Sequence, residues 1–326
     1  MPPITLLEAI RQGIWEEMER DPRVFVLGED VGVYGGAFKL TEGFIEKFGA
    51  ERVIDTPISE SAIVGAACGA AMMGMRPVAE MQFMDFISCC FDVLTNYAAK
   101  SRYRQGIGIP IVVRGPCGGG VHGGPFHSQN VESFFLNTPG LKMVEPSTPH
   151  DAKGLIKAAI RDDDPVLFFE HKMLYRNPKI KQEVPQEDYI VPIGKAAIRR
   201  EGRDMTIVTY GAMVYTAMEA AERLEEEGIE MEVIDLRTLL PFDREAVIES
   251  VKKTSKAIIL HEATRTGGMA GELTAVINEE AFEYLDGPVM RVTAIDTPVP
   301  YAPPLEEYFL PQVTDVLKAA RALARY

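Results

Sequence analysis

Residues 53–86 read VIDTPISESAIVGAACGAAMMGMRPVAEMQFMDF, and the fold turns on how this stretch is read. A short β-type run, Val53-Ile54-Asp55, breaks at Thr56-Pro57; fifteen uncharged, mostly small residues occupy 61–75; a second strand-like run begins at Arg76. The pattern predicts strand, turn, buried helix, strand. Glu60 is the only charge between Asp55 and Arg76 and falls where the helix starts. One reading is local, since a helix dipole favours an anion at its N-terminus by ~0.3–1 kcal/mol. The other is chemical: an acid leading into an apolar, tightly packed helix is hard to keep solvated, and buried ionisable groups tend to have a task. Gly65 and Gly69 are four apart and share a helix face, with Ala62, Ala66 and Ala70 beside them. Each glycine costs about 1 kcal/mol of helix propensity relative to alanine. Close packing at a subunit or domain interface offsets that cost, or packing against the chain's own sheet does. Membrane insertion fits poorly, because fifteen residues fall short of the roughly 20 needed to span.

At 326 residues the chain is long enough for two domains. Lysine and arginine total 34 against 48 acidic residues, a net charge of −14, which argues against nucleic acid as a partner. The four cysteines, Cys68, Cys89, Cys90 and Cys117, form no CxxC pair, so neither a disulfide framework nor a zinc site is expected. Reduced, buried thiols and a cytoplasmic location are the expectation. The N-terminus runs Met-Pro-Pro into a helical pattern, with no basic region followed by an apolar stretch, which reads as no signal peptide.

Thr5 and Glu8 have capping-box spacing, and Leu6, Leu7, Ile10, Ile14 and Met18 follow at helical intervals. Residues 24–27 read as a strand entering a glycine-bearing loop, 28–36, and strand ends in α/β sheets are where ligands are usually met. A long helix is expected over 86–104, a buried strand over 109–113, a glycine-rich loop over 115–124 and a short helix after Ser128. A strand at 141–144, a helix opened by Thr148-Pro149 and running to about Arg161, and a strand at 166–170 complete this half. Between 172 and 192, Pro178, Pro185 and Pro192 alternate with charges, and we read a linker. Strands at 205–209, 231–236, 257–260 and 290–295 then bracket helices at 213–227, 243–253 and 269–285, with a last helix over 315–325. Two successive α/β domains with mostly parallel sheets are implied.

The loop GPCGGGVHGGPFH, residues 115–127, contains Gly118-x-Gly120-x-x-Gly123, formally a dinucleotide fingerprint after a strand. That fingerprint needs a helix to open within the glycines, whereas Pro125 and Phe126 follow here, so an NAD-dependent oxidoreductase stands only as a rival reading. His122 reads as a solvent-facing residue or a backbone donor and is given no role. His127 precedes the expected helix, and an imidazole there titrates near neutrality, suited to proton transfer. His150, His171 and His261 have no paired carboxylate or cysteine at ligand spacing and are assigned no chemistry. Gln82 and Phe86 are four apart and can face one pocket, or serve as a turn amide and a core ring. Met72, Met73, Met75, Met81 and Met84 read as flexible core filler or as lining for that pocket.

From end to end the chain resembles the β subunits of thiamine diphosphate-dependent 2-oxo acid dehydrogenases, the decarboxylase components of the complexes. Glu60 followed by Gly65-Ala66 and Gly69 looks like that family's pyrimidine-domain signature, with Ala70 where the family often has glutamine. His127-Ser128-Gln129 looks like its active-site histidine segment, and Ile234-Asp235-Leu236-Arg237-Thr238 is also similar. The resemblance implies a fold of two successive α/β domains: a parallel-sheet, thiamine pyrimidine-binding domain over 1–185 and a transketolase C-terminal-like domain over 186–326. It implies that Glu60 hydrogen-bonds the aminopyrimidine ring nitrogen, that Ile58 packs on the ring, that Gln82 lines its pocket and that Phe86 abuts it. His127 is implied as the proton donor when the acyl group moves to the lipoyl arm. Branched-chain relatives often carry tyrosine where Phe86 stands.

No Gly-Asp-Gly segment for a diphosphate-bound Mg²⁺ occurs in this chain. The resemblance therefore implies an α subunit holding the Mg²⁺, thiamine diphosphate shared between the two chains, an α2β2 assembly and docking to a lipoyl acyltransferase core. Phe169-Glu170-x-Lys172-x-Leu174-Tyr175-Arg176 and Asp296-Thr297-Pro298-x-Pro300 look more like branched-chain than pyruvate members. The same residues are compatible with a pyruvate dehydrogenase β subunit, and with an assembly subunit that kept the fold and lost the chemistry.

Overall fold

The computed structural model describes residues 2–326, which form two compact units. The first comprises the chain up to Cys117 together with Phe134–Ile193. Its strands β1 (Val24–Gly28), β2 (Val53–Asp55), β3 (Arg76–Glu80), β4 (Val112–Cys117), β5 (Lys142–Val144) and β6 (Val166–His171) run in the order β5-β6-β4-β3-β1-β2, every pair parallel. Val26, Val78, Val112 and Val166 lie in one register across it. β1, β4 and β6 are buried along their whole lengths, as strands of a parallel sheet covered on both faces must be.

Helix α1 (Leu6–Arg20) starts with the expected capping box: the Thr5 hydroxyl accepts from Glu8 N–H at 3.2 Å, and Thr5 N–H donates to Glu8 at 2.7 Å. It packs on α5 (Pro149–Arg161), so closely that a Cβ on Gly13 would sit 2.4 Å from Ile156 Cγ2. Between them in sequence lie α2 (Phe44–Phe48), α3 (Glu60–Met72) and α4 (Ala99–Gln105). The expectation of a fully buried α3 is corrected. Ile63, Val64, Ala67, Cys68 and Ala71 face the core, whereas Ala62, Ala66 and Gly69 are exposed and a Cβ on Gly65 or Gly69 would meet nothing.

The helix expected over 86–104 is also corrected. A 3₁₀ turn, Met84–Cys90, is followed by a π-type turn, Val93–Ala98, before α4 begins. Thr95 Oγ1 donates to the Phe91 carbonyl at 2.8 Å, and Cys90 Sγ to that of Ile87 at 3.0 Å, so side chains compete with the backbone ladder. The strand expected over 109–113 is shifted: β4 starts only at Val112 and runs on to Cys117, in register with β6. Residues 172–192 lie along the first unit. They form α6 (Lys172–Tyr175) and a 3₁₀ turn, Gln182 bridges Ile4, and Asp188 pairs with Lys157 at 2.6 Å and Arg161 at 2.7 Å.

At the centre of this sheet Arg114 of β4 is held between Glu80 of β3 and Glu170 of β6, and the Tyr175 hydroxyl donates to Glu170. All four side chains are buried. Burial pushes the Glu80 carboxyl above the usual carboxylate range while Arg114 pulls the other way. Burial likewise disfavours the Arg114 charge, but the Glu170 and Glu80 carboxylates hold it charged.

The second unit comprises Gly118–Ser133 and Gly194–Tyr326. Its strands are β7 (Ala197–Arg200), β8 (Met205–Thr209), β9 (Met231–Asp235), β11 (Ala257–Thr264) and β12 (Met290–Ala294), in the order β12-β11-β8-β9-β7, with a further short strand, β10 (Thr238–Leu240). All sheet pairs are parallel except β7 with β9. Helices α7 (Met213–Glu225), α8 (Arg244–Thr254), α9 (Met269–Ala281), α10 (Pro303–Phe309) and α11 (Val313–Leu323) complete it. Met205, Ile207, Leu224, Val233, Ile258 and Val316 meet in its core. Among the described residues, no helix is long and apolar enough to cross a membrane.

His261 of β11 is fully buried, with the Tyr210 ring stacked at 6.2 Å, and burial pushes its imidazole down to about 4.

Two stability outcomes follow from these buried ionisable groups. Arg114→Met alone leaves two carboxylates buried without a countercharge and lowers stability by about 3–5 kcal/mol, while adding Glu80→Gln and Glu170→Gln recovers most of it. Urea unfolding checks this, and an Arg114→Met midpoint equal to wild type would contradict it. For His261 the unfolded chain binds the proton below about 6.5 and the native chain only below about 4. Stability is therefore full above pH 6.5 and falls by up to about 3 kcal/mol as the pH drops to 4. In unfolding titrations from pH 7 to 4, His261→Asn flattens that slope; a slope unchanged by the substitution refutes the assignment.

Candidate functional site

Parallel strands bring their C-terminal ends to one edge of a sheet, and in the first unit the loops after β1, β2 and β3 leave from that edge. After β2, Pro57-Ile58-Ser59 leads into α3. Ile58 is 83% exposed, a large apolar side chain with no cover in this chain. Glu60 is the first residue of α3 and half-buried; Ser59 makes no capping hydrogen bond, and the Glu60 carboxylate makes no side-chain hydrogen bond or ion pair among the described residues.

A second acid stands near it that the sequence reading did not single out. Glu29, in the turn after β1, is buried, and its carboxyl is pushed above the usual range by burial first and then by the negative charges of Glu60, Asp30 and Glu80. The loop carrying it is tightly fixed. A Cβ on Gly28 would sit 2.9 Å from the Glu80 carbonyl oxygen, Gly32 N–H donates to Asp55 Oδ1 at 2.6 Å, and Thr41 Oγ1 donates to the Val31 carbonyl at 2.7 Å. Glu29 therefore keeps its proton to a higher pH than an exposed glutamate does.

After β3, Met81 N–H donates to the Arg114 carbonyl at 2.8 Å, which fixes the chain one residue before Gln82. Phe83 is held edge-on by Phe38 at 5.7 Å, and Phe86 N–H donates to the Phe83 carbonyl at 3.1 Å. Gln82 and Phe86 are both half-buried. Ser61 Oγ donates to the Cys89 carbonyl, so the 3₁₀ turn bearing Phe86 lies against the start of α3. Partial desolvation and then the charge of Glu60 raise the Cys89 thiol. Cys89 is exposed, against the expectation that every thiol is buried; Cys68, Cys90 and Cys117 are buried, and all four are free. Met81 and Met84 are core, but Met72 and Met73 are 42% and 85% exposed, so the core-filler reading fails for those two.

His127 belongs to the second unit. The helix expected after Ser128 is absent, and a single 3₁₀ turn, Glu132–Phe134, takes its place. The reason is local: Ser128 Oγ accepts from Gly123 N–H at 3.1 Å and so caps the loop, not a helix. Gly118 N–H donates to the Gln129 carbonyl at 3.1 Å and closes the loop at its base, leaving His127 half-buried between these two bonds. Gly119 N–H donates to Glu262 at 2.6 Å, and Gly120 and His122 N–H donate to Glu306 at 3.0 and 3.1 Å. A dinucleotide pyrophosphate needs such N–H groups free and facing it from a helix N-terminus. Here they face carboxylates and no helix opens, which removes the physical basis for the NAD-binding reading.

The chain matches the family model described as transketolase, pyrimidine binding domain, over residues 2–178, and that described as transketolase, C-terminal domain, over 194–316. It is 54% identical to the 2-oxoisovalerate dehydrogenase subunit beta of Bacillus subtilis, over 100% of both chains. It is 45% identical to the pyruvate dehydrogenase E1 component subunit beta of the same organism, again over 100% of both. Against the chloroplastic pyruvate dehydrogenase E1 component subunit beta-2 of Arabidopsis thaliana the identity is 46%, covering 99% of this chain and 79% of that protein. A solved split-gene transketolase, described as an inactive beta4 tetramer, superposes with a TM-score of 0.81 over 99% of each chain at 24% identity, a likeness of fold. The two transketolase domains matched in succession, and full-length identity to β subunits on this scale, place the chain in the family of 2-oxo acid dehydrogenase β subunits.

Proposed function

We propose that this chain supplies the aminopyrimidine half of a thiamine diphosphate site shared with an α subunit, in an α2β2 dehydrogenase that decarboxylates branched-chain 2-oxo acids. The observation that carries the reading is Glu60, a half-buried carboxylate at the start of α3 with no side-chain partner among the described residues, and with Glu29, whose carboxyl is pushed above the usual range, nearby. The greater identity to the 2-oxoisovalerate enzyme's β subunit, 54% against 45% for the pyruvate enzyme's, supports the branched-chain choice. The residues present suit an aminopyrimidine: an uncovered apolar side chain at Ile58, an unpaired carboxylate two residues on, and a half-buried amide and ring at Gln82 and Phe86.

When bound, thiamine diphosphate would supply a nucleophilic thiazolium carbon and a sink for the electron pair left on the substrate carbon as CO2 departs. The rest of the proposal concerns this chain's own groups. Glu60 shares a proton with the ring nitrogen of the pyrimidine, which polarises the ring. Ile58 gives the ring an apolar surface, and Gln82 and Phe86 bound its pocket. His127 donates a proton to the lipoyl sulfur that departs as the acyl group is transferred to the other sulfur.

The diphosphate and its Mg²⁺ fall to the α subunit, because this chain has no Gly-Asp-Gly segment. The open face of α3, where Ala62, Ala66 and Gly69 are exposed, suits close backbone packing by another subunit. A lipoyl acyltransferase core is the onward partner. Four free cysteines suit the reducing cytoplasm.

Glu60→Gln in the reconstituted complex tests the reading. The amide cannot share a proton with the ring, so turnover of a branched-chain 2-oxo acid falls by about 100-fold or more while the α2β2 assembly sediments unchanged. A rate equal to wild type would refute the role of Glu60 and favour a non-catalytic assembly subunit.

A further inference from the structure

His122 takes a left-handed backbone, φ +60°, in a loop whose glycines Gly118, Gly120 and Gly124 take the same conformation without a Cβ. For a non-glycine residue that conformation is strained and persists only where the surroundings impose it. What imposes it is one carboxylate. His122 N–H donates to Glu306 Oε2 at 3.1 Å and the ring Nδ1 lies 2.6 Å from the same oxygen, while Gly120 N–H donates to Oε1 at 3.0 Å. Glu306 is 1% exposed although it lies on α10 near the surface. Glu262, also buried, takes Gly119 N–H at 2.6 Å.

The far side of the loop is tied down too. Tyr210 Oη donates to the buried Glu132 carboxylate at 2.7 Å, and a Cβ on Gly124 would fall 2.2 Å from the Tyr301 ring. Between these ties His127 is suspended on two short internal bonds, Gly118 to Gln129 and Gly123 to Ser128, each 3.1 Å. A loop needed only to connect two elements has no use for a strained histidine and two buried carboxylates spent on its backbone. A loop that must present one imidazole at a fixed place does.

We propose that Glu306, gripping the loop through His122 and Gly120 and assisted by Glu262, is a positioning residue for His127. This assigns a role to His122 as the handle by which the grip is made. The inference rests on the reading of His127 as proton donor in acyl transfer.

The test uses the reconstituted α/β complex with thiamine diphosphate and Mg²⁺ in two assays. One follows 2-oxo acid decarboxylation with ferricyanide as oxidant, which bypasses the lipoyl arm; the other follows acylation of a lipoylated acyltransferase domain. Glu306→Ala lowers acylation by about 10-fold or more and leaves the ferricyanide rate within about twofold, because a small displacement of a catalytic group costs rate only in the step that uses it. Glu306→Gln, which keeps the shape and one acceptor oxygen, recovers most of the acylation rate. Should Glu306→Ala fail to assemble, His122→Gly, which releases the strain and the ring contact, carries the test with the same split. Parallel loss in both assays, or none in either, overturns the proposal. His127→Ala run alongside separates the layers: if it loses acylation and Glu306→Ala does not, the positioning role alone fails; if it leaves acylation intact, the reading of His127 fails and the proposal with it.

Discussion

A guanidinium fixed between two carboxylates in the middle of a parallel sheet sets the frame for the first unit. Arg114 joins the ends of three adjacent strands, through Glu80 on one side and Glu170 on the other, and none of these side chains reaches water. Two acids against one base, dry, is a costly arrangement that only close geometry offsets. It aligns the strand ends from which the site loops spring. Arg114 holds Met81 through its backbone, which orients Gln82, and Glu80 lies against the loop of Glu29. The protonation of Glu29 is therefore tied electrostatically to the charge cluster at the sheet's centre and to Glu60 at the surface end.

The α3 helix shows how the same small residues serve two purposes. Its inner face is core, and its outer face is bare, with no neighbour for a Cβ at Gly65 or Gly69. In a chain that folds alone, two mid-helix glycines on an exposed face are a loss of about 1 kcal/mol each with no return. In a chain that shares a cofactor site with another subunit they permit close approach of a second backbone beside Glu60. The absence of a Gly-Asp-Gly segment fits the proposed split, in which this chain supplies the half that binds and polarises a ring.

Much of this is legible in the sequence where the signal is local. The Thr5/Glu8 cap, the continuous apolar strands, the break at Thr56-Pro57 and the placing of Glu60 at a helix start all come from neighbours in sequence, and the structure has them. What was not readable depends on distant partners. Glu29 looks like any loop acid until burial and the charge of Glu60 are known. The anchors of the histidine loop come from 143 and 186 residues away, so nothing near Gly119 or Gly120 announces them. The helix expected after Ser128 failed because a serine that can cap a helix can equally cap a loop. Strand β7 was hidden by its charges, being an antiparallel edge strand with no fully buried residue, and α10 by Pro303-Pro304, which open a helix as readily as they interrupt one.

The central claim is that this chain holds one half of a thiamine diphosphate site and cannot complete it alone. Calorimetric titration of thiamine diphosphate with Mg²⁺, into the chain by itself and into the chain assembled with its α subunit, tests that directly. The account predicts saturable binding to the assembly and none to the lone chain. Tight binding to the lone chain would place the diphosphate clamp here and contradict the split, as would an assembly that ignores thiamine diphosphate and binds NAD instead.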